Sequence, residues 1–313
     1  SLGAGAQSGY DIKINFKGCK DTMVYLVRYM FDQNNIADTC KKVKNGQIQF
    51  KGKKDLEKGV YVLVSEGKAT YFDFFINENQ KFTINVDMAD MVNSLKSLGN
   101  KENEQFFSYI KYITAKNIEF GKFRDESKTK SKEDSAKFLS EKLKELNTDV
   151  KKFDSEFMTK NKGTYLYDVL NLKSEKEPTD IPKAKNGRPD SVYTYYYYKN
   201  HFFDGINFKD ERIVHTPFFD DRVKRYFESV IVQHPDTVIK EMDKVLAQCT
   251  ENNLVYNLLL GYFTYSSEQN KIMGFDKVFV HLADKYIITG KAKGVYTDET
   301  VGKIKERVDI MRN

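Results

Sequence analysis

The chain has 313 residues, enough for two domains at roughly 150 residues each, and its 40% apolar and 31% charged residues exclude wholesale disorder. Its 51 basic and 45 acidic residues are interleaved, as in Lys132-Glu133-Asp134, and lysine supplies most of the positive charge. A nucleic-acid surface gathers its basic residues into a stripe and favours arginine, so that partner class is excluded; no run approaches the ~20 apolar residues of a membrane span.

The first residues, Ser1 to Gln7, read as the end of a secretory signal, because small Ala4 and Ala6 fit a cleavage site that leaves Gln7 as the mature start. An expression-tag remnant is the alternative, and Ser1 fits it. The signal reading places the protein outside the cytoplasm, in the periplasm or outer envelope. No Cys follows the small residues, so the usual bacterial lipid-anchor signal is missing.

Residues 9–88 carry strand patterns. Asp11 to Phe16 alternates polar and apolar residues, and Met23 to Met30 is rich in Val, Leu and Tyr. Asn45-Gly46, the dipeptide of a type I′ turn, predicts a hairpin between 36–44 and 47–51. Runs at 59–64, 71–76 and 81–86 follow. Six or seven short strands with frequent turns predict an antiparallel sandwich.

Helical patterning takes over near residue 90, so the all-helical domain is assigned 89–313. Asn100 caps a helix to about Phe120, with Phe106, Phe107, Ile110 and Ile113 on one stripe. After a charged loop at 122–132, Ala136, Leu139, Leu143, Leu146, Val150, Phe153 and Phe157 form a heptad seam. The pair predicts a long antiparallel hairpin over about 100–160, with a self-associating coiled coil as the alternative. Pro178, Pro182, Gly187 and Pro189 mark a loop at 174–190. The helical array at 190–312 comprises about 190–203, 218–233, 235–249, 252–267, 275–289 and 298–312. Pro235 and Asp236 suit a helix start. The fold class is therefore α+β, a sandwich followed by a multi-helix domain.

No complete catalytic motif is present. G-x-S-x-G, G-x-x-x-x-G-K-[ST] and G-x-G-x-x-G are all missing, and His201, His215, His234 and His281 lack zinc-ligand spacing, so no catalytic residue, metal or cofactor is assigned. Cys19, Cys40 and Cys249 read as small buried side chains; a Cys19–Cys40 bridge is the alternative if their strands are neighbours. The densest unusual segment runs from Tyr193 to Phe203, with five tyrosines in six positions. Tyr193, Tyr196, Tyr197, His201 and Phe202 are its candidate surface for a protein or peptide partner, against the alternative of a helix buried between neighbours.

Three stretches carry a resemblance. They are Asp38 to Gly52 followed by Gly59-Val60-Tyr61, then Gly99 to Phe106, and then Thr216-Pro217 through His234-Pro235-Asp236 to Tyr286. The chain resembles the N-terminal region of secreted thioredoxin-like proteins of the alkyl hydroperoxide reductase/thiol-specific antioxidant type, from Gram-negative envelopes. In that family the helical domain precedes a thioredoxin fold with the redox C-x-x-C, which this sequence lacks. The resemblance implies a non-catalytic accessory region that presents a substrate or partner to a thiol-disulfide oxidoreductase. The alternative is a free-standing extracytoplasmic binding module for a peptide, glycan or envelope component.

Overall fold

A computed structural model describes residues 9–312; the leader reading of residues 1–8 lies outside the described residues. The strands are β1 (Tyr10–Lys17), β2 (Val24–Met30), β3 (Gln33–Cys40), β4 (Gln47–Gly52), β5 (Gly59–Ser65), β6 (Thr70–Ile76), β7 (Lys81–Asp87) and β8 (Lys96–Leu98). The helices are α1 (Met91–Ser94), α2 (Lys101–Ser127), α3 (Lys132–Lys160), α4 (Tyr165–Lys173), α5 (Ser191–Asn200), α6 (Phe219–Arg225), α7 (Pro235–Leu246), α8 (Leu254–Gln269), α9 (Asp276–Leu282) and α10 (Asp298–Arg312). Two compact units divide within α4, between Tyr167 and Asp168, with Met30–Gln33 belonging to the second unit.

The first unit contains the sandwich and the helical hairpin. Its sheets run β4-β1-β7-β8 and β3-β2-β5-β6. Period-two alternation decides which face of β1 is inside: Ile12, Ile14 and Phe16 are buried while Lys13 and Lys17 are exposed. Phe16 meets Phe72 of the other sheet edge to face, with ring centroids 6.1 Å apart. The sandwich is rich in antiparallel pairs, but β1 and β7 are parallel, from Asp11↔Lys81 to Lys17↔Asp87.

The expected hairpin around Asn45-Gly46 is corrected. The tight turn is present, with φ 51° and 71° and a 2.9 Å bond from Gln47 N–H to the Lys44 carbonyl. Its two arms nevertheless part, because β4 pairs with β1 whereas β3 lies in the other sheet. Gly46 is required: a Cβ there would lie 2.0 Å from the Phe16 carbonyl oxygen.

The Asn100 side chain accepts from the Asn103 N–H at 3.0 Å, the cap expected from sequence. That start aims fully buried Asn103 at strand β6, where it accepts from the Phe75 N–H at 2.6 Å and donates to the Phe75 carbonyl at 2.9 Å. One amide thereby satisfies both backbone groups on an edge strand. Helix α2 continues to Ser127, so most of the predicted charged loop is helical and the break is confined to Lys128–Ser131. Helix α3 packs against α2 in the same chain, with the Tyr112 and Phe153 rings stacked at 3.7 Å and Phe123 meeting Phe138 at 6.2 Å. Compactness groups this hairpin with the strands, whereas the sequence division placed it with the helices of 89–313.

The second unit is the helical array. Sequence patterning missed α4, and two expected helices change pitch midway. Helix α6 passes into a π turn at Tyr226–Val230, and α9 into one at Ala283–Ile287. Phe31 has φ 51°, a left-handed conformation costly for a bulky residue. Its N–H donates to the Val214 carbonyl at 2.7 Å, and its buried ring meets Phe219 and Tyr262, both at 5.8 Å.

Candidate functional site: an aromatic cleft in the helical unit

Helix α8 is apolar nearly all round, which destines it for the middle of the array. Asn253 caps it by accepting from the Tyr256 N–H at 2.8 Å. One face buries Val255, Leu259, Leu260 and Phe263. The opposite face presents Asn257, Gly261, Tyr265 and Glu268 at steps of four, four and three, all onto a cleft of about 890 Å³. Helix α10 supplies the facing wall through Thr300, Lys303, Ile304 and Arg307, again one helical face. Phe31, Asp32, Phe279 and Tyr296 complete the lining.

The cleft combines aromatic surface with polar handles. Tyr265 is 65% exposed at its rim. The Tyr262 hydroxyl donates to Glu228 at 3.0 Å, and burial raises its pKa, as burial also does for Tyr296. Both phenols therefore stay protonated at neutral pH. Arg307 pairs with Glu268 and lies 5.7 Å from the Phe279 ring centroid. The Asn257 Oδ1 is buried without a hydrogen-bond partner among the described residues. A Cβ on Gly261 would meet nothing within 4 Å, so no packing neighbour demands glycine there. Glycine inside a helix costs about 1 kcal/mol relative to alanine. What its missing side chain provides is room on the cleft floor.

The tyrosine-rich helix α5 is a separate surface. Asp190 caps it by accepting from Val192 and Tyr193 N–H groups. Tyr196 is 55% exposed and Tyr193 is also exposed, while Tyr197 meets His201 in a tilted ring contact with centroids 4.2 Å apart. Phe202 is corrected from the partner surface to the core: it is 1% exposed and packs on Tyr198 and Tyr226. Five tyrosines cover all sides of a helix, and the array covers the side that continues into Phe202.

The histidines do not gather. His201 bonds Asp204 at 2.6 Å, His215 is buried, His234 is exposed, and His281 bonds Asp243 at 3.0 Å. The last belongs to a cluster linking α7 to the α9 region, where Asp243 also accepts from Lys285 at 2.8 Å and Tyr286 at 2.6 Å. Burial would raise the Asp243 carboxyl, but these donors hold it below its usual range. Buried Glu241 is similar, accepting from Tyr226 at 2.9 Å and pairing with Lys199 at 2.7 Å. Among the described residues no group of three His, Cys, Asp or Glu has metal-site geometry.

All three thiols are free, so the Cys19–Cys40 bridge is not formed. Burial pushes the Cys249 thiol up to about 12 and raises Cys19 as well. Neither supplies thiolate at neutral pH.

These features define a two-unit chain, a sandwich with a helical hairpin and a helical array with an aromatic cleft. Residues 10–106 match the family described as Domain of unknown function (DUF4369), and residues 129–313 match Domain of unknown function (DUF5106). The second match spans more than half of the chain, which belongs to that DUF5106 family. Comparisons with curated proteins and with solved structures find no match. No described helix is long and apolar enough to cross a membrane.

Proposed function

We propose that this chain is a non-catalytic, partner-presenting region of an extracytoplasmic thiol-disulfide oxidoreductase-like protein, and that its helical unit receives a peptide segment. The observation that carries the reading is the α8 face. Gly261 opens the cleft floor, Tyr262 and Tyr265 offer aromatic surface, and Asn257 keeps a buried acceptor free for an amide N–H. Aromatic walls with a few placed polar groups are what a binding cleft needs. The protonated Cys19 and Cys249 thiols support leaving disulfide chemistry to another domain. The sequence resemblance supports the envelope setting.

The test is fluorescence anisotropy with labelled, reduced and alkylated insulin B chain as the probe. Saturable binding should weaken at least tenfold in Gly261→Trp, which fills the floor, while Gly261→Ala folds with equal or greater stability. Equal binding by wild type and Gly261→Trp would contradict the assignment.

Exposed Tyr193, Tyr196 and Tyr265 also favour a second reading, a free-standing module binding a glycan or another envelope component by ring stacking. Binding of a soluble oligosaccharide in preference to the peptide, lost in Tyr265→Ala, would select it.

A further inference from the structure

The helical unit carries a second cleft, of about 530 Å³, independent of the peptide reading. Its lining includes Lys173 at the end of α4, Glu175, and Arg222, Lys224 and Arg225 of α6. Arg222 is the unusual member. It is only 4% exposed, although a buried guanidinium is costly unless every donor is satisfied.

The satisfaction is incomplete. Arg222 Nη2 donates to the Phe202 carbonyl, and the guanidinium sits 4.2 Å from the Phe202 ring centroid. Its Nε is buried with no hydrogen-bond partner among the described residues. The carboxylate that acts on it electrostatically, Glu175, is bonded instead to Arg225. Lys224 is only loosely engaged, 3.4 Å from Asp220 and 4.0 Å from Asp32. Asp221 and Glu228 also line the cleft; Glu228 already accepts from Tyr262.

The helical architecture does not require an arginine at this position. Helices α6 and α9 each run seven residues before a five-residue π turn, and Arg222 and Phe279 are the fourth residue of each. Phe279 is a buried apolar side chain that borders the first cleft. The same place in α6 carries a buried cation facing a cleft. The adjoining π turn puts Glu228 and Ser229 on the wall, and such turns are frequent at functional sites.

We propose that this second cleft binds an oxyanion, the carboxylate or phosphate group of a small ligand, through Arg222 with Arg225 and Lys224. The planar guanidinium fork matches both groups, and the incoming oxygens satisfy the orphaned Nε–H. Glu175 competes for Arg225 and sets the affinity.

The experiment is thermal unfolding of the full chain titrated with sodium phosphate and, separately, sodium malonate, each against sodium chloride at equal ionic strength. A ligand that binds only the folded state raises the midpoint in a saturable way. One of the two anions should do so, and the stronger identifies the group as phosphate or carboxylate. Arg222→Gln should weaken that anion at least tenfold. Glu175→Gln should tighten it several-fold by releasing Arg225, a gain that loss of folding cannot imitate. Midpoint shifts no larger than those from chloride would overturn the proposal, as would a Glu175→Gln protein that binds the anion no better than wild type.

Discussion

Arg222 and Phe202 hold each other twice, through a guanidinium bond to the Phe202 carbonyl and through stacking at 4.2 Å from its ring centroid. Phe202 thereby fixes a buried cation as well as filling the core. Truncation to alanine should cost about 3–5 kcal/mol for the lost ring and cavity. Tyr196→Ala, on an exposed position of α5, should change stability by about 0.5 kcal/mol or less. Urea denaturation of the two variants checks the contrast; equal costs would place Phe202 at the surface.

Glu241 gives the fold a defined acid sensitivity. Burial would raise its carboxyl, but Lys199 and Tyr226 hold it below its ordinary value of 4.5. A depressed folded-state pKa adds stability that is present above the unfolded value and lost as pH falls through the folded one. Unfolding free energy should therefore decline below about pH 4.5, and Glu241→Gln should flatten that part of the decline. At pH 7 the same variant should be about 3–5 kcal/mol less stable, because Lys199 loses its buried partner. A pH series of chemical denaturation measures both effects, and an unchanged acid limb in the variant would refute the assignment.

The α2–α3 seam is uneven. Leu146 is buried whereas Leu143 is 38% exposed. Leu146→Asp should cost several kcal/mol by burying an unpaired carboxylate, and Leu143→Asp about 1 kcal/mol or less. Thermal unfolding of both should rank them in that order. The reverse order would mean that the seam packs in another register.

Local rules were readable wherever the determinant is local. The cap at Asn100, the start at Pro235 and the positive-φ turn at Asn45-Gly46 depend on neighbours in sequence. What stayed hidden is set by distant partners. Nothing near Asn45-Gly46 shows that β4 leaves β3 for β1, or that β1 and β7 run parallel. Sequence spacing also assumes one helical pitch, which the π turns at Tyr226 and Ala283 break. The cleft draws on residues around 31, 254–268 and 294–307, so tyrosine density pointed to α5 instead. One local sign was available: Asn257, Gly261, Tyr265 and Glu268 share one face of an otherwise apolar helix.

Cys249 should be nearly inert in the folded protein. With its thiol near 12, alkylation by iodoacetamide at pH 8 should run at least about tenfold slower than in urea-unfolded chain. Mass spectrometry of the timed reaction reads each cysteine separately. Labelling of Cys249 at the unfolded rate would show that its thiol is accessible and ionised in the folded chain.

Peptide binding in the α8–α10 cleft, as proposed, is read by a nuclear magnetic resonance titration of isotope-labelled protein with the reduced, alkylated insulin B chain. Amide and aromatic shifts should move in a saturable way at Asn257, Tyr262, Tyr265, Tyr296 and Lys303, and Gly261→Trp should abolish those movements. Saturable shifts confined to the sandwich or to Tyr193 and Tyr196, with the cleft unmoved, would place the peptide elsewhere and contradict binding in the cleft.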